Sequence, residues 1–174
     1  TLQTYLIFGN IIVVSIALLG GPFIHFILGA KYAAAVGLLT WLGVLQGIRV
    51  IKGGSATVAL AQAHTANGII ANIGRVLLLP LAWYIVANGG DLMMVVWIGI
   101  AGEFVGFVLA LGLALGRQRL PLKPLLAPMT ASALLFALAA VHAHAQYGAM
   151  DWVPELWTSL GLLALFGVAL LTMT

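Results

Sequence analysis

The chain has 174 residues, of which 63% are hydrophobic and only 6% are charged, and its mean hydropathy is +1.17. A soluble domain carries about 25% charged residues, and surface-to-volume scaling prevents a chain of this size from hiding nearly every side chain. The composition therefore excludes a soluble globular fold and favours an all-α, polytopic membrane helix bundle.

The net charge of +3 and the isoelectric point near 9.6 do not indicate a nucleic-acid partner, because the basic residues are few and dispersed. The chain has no cysteine, which excludes disulfides, cysteine-ligated metals and thiol chemistry. It starts at Thr1 and enters an apolar run almost at once. We therefore expect no signal peptide and interpret the chain as a fragment of a longer protein.

About six segments are apolar enough to cross a bilayer, since a spanning helix needs about 20 mostly apolar residues. We place them at residues 2–19, 33–61, 66–86, 92–116, 125–141 and 155–171. Gly20-Gly21-Pro22 is expected to break or kink the first span, and Asn88-Gly89-Gly90 is expected to form the turn after the third. Together the spans form a single transmembrane domain over residues 1–174.

The densest basic cluster runs from Arg117 to Lys123, between the fourth and fifth spans. Loops rich in Lys and Arg stay in the cytoplasm, so this loop is predicted to be cytoplasmic. Alternation of the spans then places the turn at His64 in the cytoplasm and the loops at Lys31, Asp91 and Asp151 outside.

Four charged residues fall inside the predicted spans: Arg49, Lys52, Arg75 and Glu103. A charged group costs roughly 2.5–3.5 kcal/mol to insert, so it normally faces a bundle interior or a water-filled cavity. Counted from the predicted cytoplasmic helix ends at about 1.5 Å per residue, all four lie roughly 14–20 Å deep and therefore in one slab. Arg49 and Lys52 are three residues apart and share a helix face.

Three cations against one carboxylate leave this slab positively charged. Such a site suits an anionic ligand, because guanidinium groups bind phosphate in a bidentate manner. Glu103 is expected to pair with Arg75 or Arg49. A purely structural alternative stays open, in which Lys52 and Arg75 snorkel to the interface and the pairing of Glu103 only holds helices together.

Three Gly-x-x-x-Gly patterns, at Gly43–Gly47, Gly102–Gly106 and Gly112–Gly116, predict close helix packing and not phosphate-binding loops. His142 and His144 open a predicted polar loop over residues 142–154. We interpret them as interfacial histidines and predict no metal site, because no third ligand accompanies them. The sequence contains no recognisable catalytic constellation, so we predict neither an enzyme nor a cofactor.

The segment Pro22-Phe23-Ile24-x-x-x-Leu28-Gly29-x-x-Tyr32-x-x-Ala35 resembles the P-L-I-x-x-x-F-G-x-x-Y-x-x-A signature of polysaccharide flippases. These are the Wzx-like exporters of lipid-linked oligosaccharides in the multidrug/oligosaccharidyl-lipid/polysaccharide superfamily. The resemblance covers most of residues 1–123. It includes Leu60-Ala61-Gln62-Ala63 with the following Asn67 and Asn72, a Gly-rich turn at Gly89-Gly90, and Glu103. It departs from the family at Asp91-Leu92-Met93-Met94, where small residues are usual.

The resemblance implies a flippase with two helical lobes in the bacterial cytoplasmic (inner) membrane, of which this chain is most of the C-terminal lobe. The implied partners are the bilayer, the N-terminal lobe of the same protein and a lipid-linked oligosaccharide. By alternating access, a cationic cavity takes the diphosphate and sugars from the inner leaflet while the prenyl tail stays in lipid. Arg49, Lys52 and Arg75 then hold the diphosphate or acidic sugars, and Glu103 orients these cations or takes part in ion coupling.

Three other functions stay open at this stage. A multidrug exporter of the same superfamily is disfavoured by the surplus positive charge, because such exporters usually expel cationic drugs. A membrane enzyme acting on lipid-linked sugars, such as a polymerase or acyltransferase, would draw its acid–base groups from Asp91, Asp151, His142 and His144. A scaffold without transport activity would use the buried charges only for pairing.

Overall fold

The computed structural model describes residues 2–118, 123–146 and 156–172. Within these ranges the chain is almost entirely helical and contains no strand. The helices are α1 (Leu2–Leu28), α2 (Ala35–Ala61), α3 (Ala66–Ala87), α4 (Leu92–Gln118), α5 (Lys123–Gln146) and α6 (Leu156–Leu171), with a short 3₁₀ turn at Ala30–Tyr32. Residues 119–122 of the basic loop and the loop around Asp151 lie outside the described residues.

The first five helices are each long and apolar enough to cross a membrane. Helix α6 is also apolar but has only 16 described residues, which at 1.5 Å per residue gives about 24 Å against a hydrocarbon core of about 30 Å. The all-α, multi-pass membrane bundle predicted from composition is thus confirmed, with five full-length spans and one shorter helix in the described ranges.

Of the break or kink expected at Gly20-Gly21-Pro22, the break is wrong, because α1 continues through these residues to Leu28. Gly20 and Gly21 are buried, and a Cβ on Gly20 would lie 3.0 Å from Leu39 of α2. Close packing on α2 therefore keeps the segment helical, as neighbouring helices often do for Gly and Pro in membranes. The helix ends at Gly29, whose φ of +87° requires glycine and whose N–H donates to the Ile24 carbonyl at 3.2 Å.

Helix α2 is the centre of the bundle, because it packs against α1, α4 and α5. Helix α3 packs mainly against α4 and touches α2 only slightly, while α6 covers α5 and part of α1. The largest apolar cluster joins α1, α2, α5 and α6 through Val13, Val14, Ala17, Val44, Leu135, Ala139 and Leu162. The α3–α4 hairpin is thus attached to one side of this four-helix core by α4.

Two of the three Gly-x-x-x-Gly patterns are confirmed as packing faces. A Cβ on Gly43 would meet Ile16 of α1 at 2.9 Å, and one on Gly47 would meet Val13 at 2.5 Å. On α4, a Cβ on Gly106 would collide with the Ala71 carbonyl oxygen of α3. The third pattern is wrong as a packing face within the described residues, because a Cβ on Gly112 or Gly116 would have no neighbour within 4 Å.

Candidate functional site

The four charged residues singled out in the sequence meet at the carboxylate of Glu103. Its side chain is only 1% exposed. Oxygen Oε2 accepts a hydrogen bond from Lys52 Nζ at 2.6 Å. Oxygen Oε1 accepts a hydrogen bond from Arg49 Nε at 3.0 Å, and it also lies 3.0 Å from Arg49 Nη2 and 3.7 Å from Arg75 Nη1. The predicted pairing of Glu103 with Arg49 or Arg75 is therefore confirmed, and Lys52 joins it as the shortest contact.

Close helix packing explains how charges from three helices reach one point. A Cβ on Gly102 would lie 3.2 Å from the Cα of Arg75, so the missing side chain lets the backbone of α3 approach α4 next to Glu103. Small residues at such crossings are the usual means of bringing membrane helices together. On α2, the spacing of three residues puts Arg49 and Lys52 on one helix face, as predicted, and the structure shows that this face is turned toward α4.

Lys52 is buried in this site and does not snorkel to the interface, so that alternative is wrong for this residue. Its side chain is 10% exposed, and its ammonium group donates to Glu103 and also to Asn72 Oδ1 at 3.1 Å. Two of the three donors of the ammonium group are therefore satisfied by protein. The role of Asn72 was not predicted, although it lies three residues before Arg75 on the same helix.

The two arginines are more accessible than the lysine. The side chain of Arg49 is 38% exposed and donates a second hydrogen bond, from Nη1 to Gln46 Oε1, at 3.2 Å. The side chain of Arg75 is 52% exposed, and its distance of 3.7 Å from Glu103 is longer than a good hydrogen bond. Arg75 is thus the cation of the site that is held least firmly.

A cavity of about 130 Å³ borders Arg49, Arg75 and Glu103 and extends between α3 and α4 toward Ala82 and Val95. A water molecule occupies about 30 Å³ of liquid, so this space holds roughly four waters or one small anionic group. It is too small for an oligosaccharide. With three cations around one carboxylate, the site carries a formal charge of +2, which favours an anion among the groups that fit.

The residues considered for acid–base chemistry do not form a comparable cluster in the described structure. Helix α5 runs past the predicted loop start to Gln146, so His142 and His144 are helical. His142 is buried, and its Nδ1 lies 3.1 Å from Thr158 Oγ1 of α6. Across the described ranges, no three His, Asp or Glu side chains are grouped as a metal would require.

A second arginine contact lies at the predicted cytoplasmic end of the hairpin. Arg117 Nη1, near the end of α4, donates to Asn67 Oδ1, near the start of α3, at 3.1 Å. This contact joins the two helices away from the charged cluster and involves no carboxylate.

Comparison with family models, with curated proteins and with solved structures finds no match for this chain.

Proposed function

We propose that this chain is part of the C-terminal lobe of a flippase that moves a prenyl-diphosphate-linked oligosaccharide across the bacterial cytoplasmic membrane. The observation that supports this most directly is the +2 cluster, in which the side chains of Arg49 and Arg75 are 38% and 52% exposed beside a cavity. Charges at membrane depth are costly and normally serve a ligand pathway or a partner. The resemblance of the segment from Pro22 to Ala35 to flippases supplies the substrate class.

In this proposal the four residues have two different roles. Lys52 and Glu103 form a buried pair, completed by Asn72, that fixes the site. Arg75 and Arg49 bind the diphosphate, because guanidinium groups match phosphate oxygens in a bidentate manner. Arg75 gives up only a 3.7 Å contact with Glu103 when it turns to an anion, so the cost of recruiting it is small.

The cavity is large enough for only one part of the substrate. A space of about 130 Å³ takes a phosphate group, whereas the sugars have to lie outside it, against the second lobe that the resemblance implies. The prenyl tail remains in lipid. Rocking of the two lobes about the bound diphosphate then exposes the headgroup to the opposite side of the membrane.

The test is a complementation experiment in cells that lack the gene for the intact protein. Surface polysaccharide and lipid-linked repeat units are measured after re-expression of the unaltered protein, Arg49→Gln or Arg75→Gln. Each substitution removes charge-assisted hydrogen bonds worth about 1.5–3 kcal/mol, so export should fall about tenfold or more. Repeat units should accumulate in the inner leaflet.

Arg117→Gln is the matched control, because it removes an arginine whose contact is an amide and not the carboxylate cluster. At equal amounts of folded protein, this variant should export as much polysaccharide as the unaltered protein. Normal export by both cluster variants would refute the role of the arginines. Loss of polymer without trapped repeat units in the deletion strain would indicate an enzyme earlier in the pathway, and altered drug sensitivity with normal polymer would indicate a multidrug exporter.

A further inference from the structure

A second, larger cavity of about 370 Å³ lies between α1, α2, α4 and α5. Its walls run along α2 from Trp41 to Ile51 and along α5 from Met129 to Ala140, with Phe104 of α4 facing them. Helices α4 and α5 both pack on α2 but share at most marginal contact with each other in the described ranges. The cavity is therefore a slot that opens sideways between these two helices.

The dimensions of the slot fit one extended chain. The stretch from Trp41 to Ile51 is about 15 Å long, at 1.5 Å per residue. A volume of about 370 Å³ over that length corresponds to a narrow slot, which admits a hydrocarbon chain whose carbon contacts lie at about 4 Å. A helix is about 10–12 Å across and is too wide to enter the slot.

The lining also excludes water and polar headgroups. The hydroxyl of Ser132 already donates to the Pro128 carbonyl at 2.8 Å and accepts from Asn10 Nδ2 at 3.0 Å. The indole N–H of Trp41 has no partner among the described residues, but a buried water needs about two to four polar partners. Both ends of the slot lie six residues, or roughly 9 Å, from the ends of α5 and thus within the hydrocarbon depth of a bilayer.

The charged cluster lies on the other side of the contact between α2 and α4. Ile51 and Phe104 face the slot, whereas their neighbours Lys52 and Glu103 form the buried ion pair. A tail attached to an anion at that cluster would have to pass through the packed α2–α4 interface to reach the slot. The slot and the charged cluster are therefore separate sites.

We propose that this slot binds one fatty acyl chain of a bilayer phospholipid, inserted sideways between α4 and α5. The chain fills a void that would otherwise leave apolar side chains without contacts. It also separates α4 and α5 while both remain packed on α2. This inference does not depend on what the charged cluster binds.

The test uses the intact protein in detergent and a phosphatidylethanolamine that carries a diazirine near the end of one acyl chain. After photolysis, peptide mapping should place adducts on slot-lining residues such as Phe104, Met129 and Phe136. Excess unlabelled phosphatidylethanolamine should suppress these adducts. Adducts confined to the outward faces of the helices would overturn the proposal, as would suppression by a polyprenyl phosphate but not by the phospholipid.

The second measurement is the photolabelling of a variant whose slot is filled by larger side chains. Ala133→Phe combined with Ala137→Phe places two rings on the slot side of α5, since both alanines line it and lie one helical turn apart. Slot labelling should fall about tenfold, which corresponds to about 1.4 kcal/mol of binding free energy. Leu134→Phe, at a 60% exposed position outside the slot, is the control and should label normally. Unchanged labelling of the folded double variant would refute the site. If the double variant does not fold, the competition with unlabelled phosphatidylethanolamine decides.

Discussion

Glu103 neutralises only part of the positive charge that surrounds it. Its side chain is 1% exposed, and its carboxylate binds a lysine that is itself nearly buried together with two arginines that are more exposed. Removing one member of a buried ion pair is costly because the other charge stays behind in a medium that does not solvate it. The lysine is the member that depends most on the carboxylate, since the arginines can turn outward.

Glu103→Gln should therefore destabilise the protein strongly, by about 3–5 kcal/mol. Adding Lys52→Met removes the stranded ammonium group, so the double variant should be more stable than Glu103→Gln alone. Thermal unfolding in detergent measures both, and a double-mutant cycle gives the coupling energy. A double variant that unfolds no later than the single one would contradict the assignment of Lys52 as the dependent partner.

The composition of this cluster was largely predictable from the sequence, but its geometry was not. Depth counting along the helices brings Arg49, Arg75 and Glu103 to one level, and the structure joins them there. Sequence reasoning left the direction of Lys52 open, because a lysine stem can reach either the interface or a partner. Its burial is decided by Asn72 and Glu103, which are 20 and 51 residues away in the chain.

The contact between α3 and α4 depends on glycines, which have no side chain, on both helices. Gly74 of α3 faces Val105 of α4, and Gly106 of α4 faces the Ala71 carbonyl of α3. Because α3 packs mainly against α4, this contact holds α3 in place and sets the position of Arg75.

Gly106→Ala should force α3 away from α4 and lower stability by about 1–3 kcal/mol, the usual cost of overpacking. Gly112→Ala on the same helix is the matched control, because its new methyl group meets nothing within 4 Å. It should be neutral or slightly stabilising, since alanine favours helix by about 1 kcal/mol over glycine. Thermal unfolding and limited proteolysis of α3 distinguish them, and equal effects of both variants would exclude the packing explanation.

Helix ends and breaks were predicted with uneven success, for identifiable reasons. The turn at Asn88-Gly89-Gly90 is where expected, because Gly89 has φ of +74° and Gly90 N–H caps α3 by donating to the Ile85 carbonyl at 2.8 Å. At Gly20-Gly21-Pro22 tertiary packing on α2 outweighed local propensity. For His142 and His144, polar residues after an apolar run indicated a loop, but α5 continues through both to Gln146.

The orientation predicted for the whole bundle in the membrane rests on the basic loop that follows α4. The turn at His64 and the side chain of Arg117 lie at the same end of the α3–α4 hairpin, as the contact between Arg117 and Asn67 requires. The turn at Asn88 lies at the opposite end. Any orientation in a membrane must therefore separate His64 from Asn88.

Single-cysteine variants test this orientation cleanly, because the chain has no cysteine of its own. Asn88→Cys should react with a membrane-impermeant thiol reagent in intact cells. His64→Cys should react only after the membrane is permeabilised, since the positive-inside rule places that turn in the cytoplasm. The reverse pattern would show that the loop starting at Arg117 is outside.

The order of the cluster along the chain has a consequence for its biogenesis. Arg49, Lys52 and Arg75 are synthesised before Glu103, so a nascent chain that stops short of α4 carries three membrane-depth cations without the carboxylate that binds them. At roughly 2.5–3.5 kcal/mol each, these cations oppose release of α2 and α3 into lipid. We therefore expect the fourth helix to complete the insertion of the two helices before it, and chains truncated at the α3–α4 turn to insert less efficiently than chains that include α4.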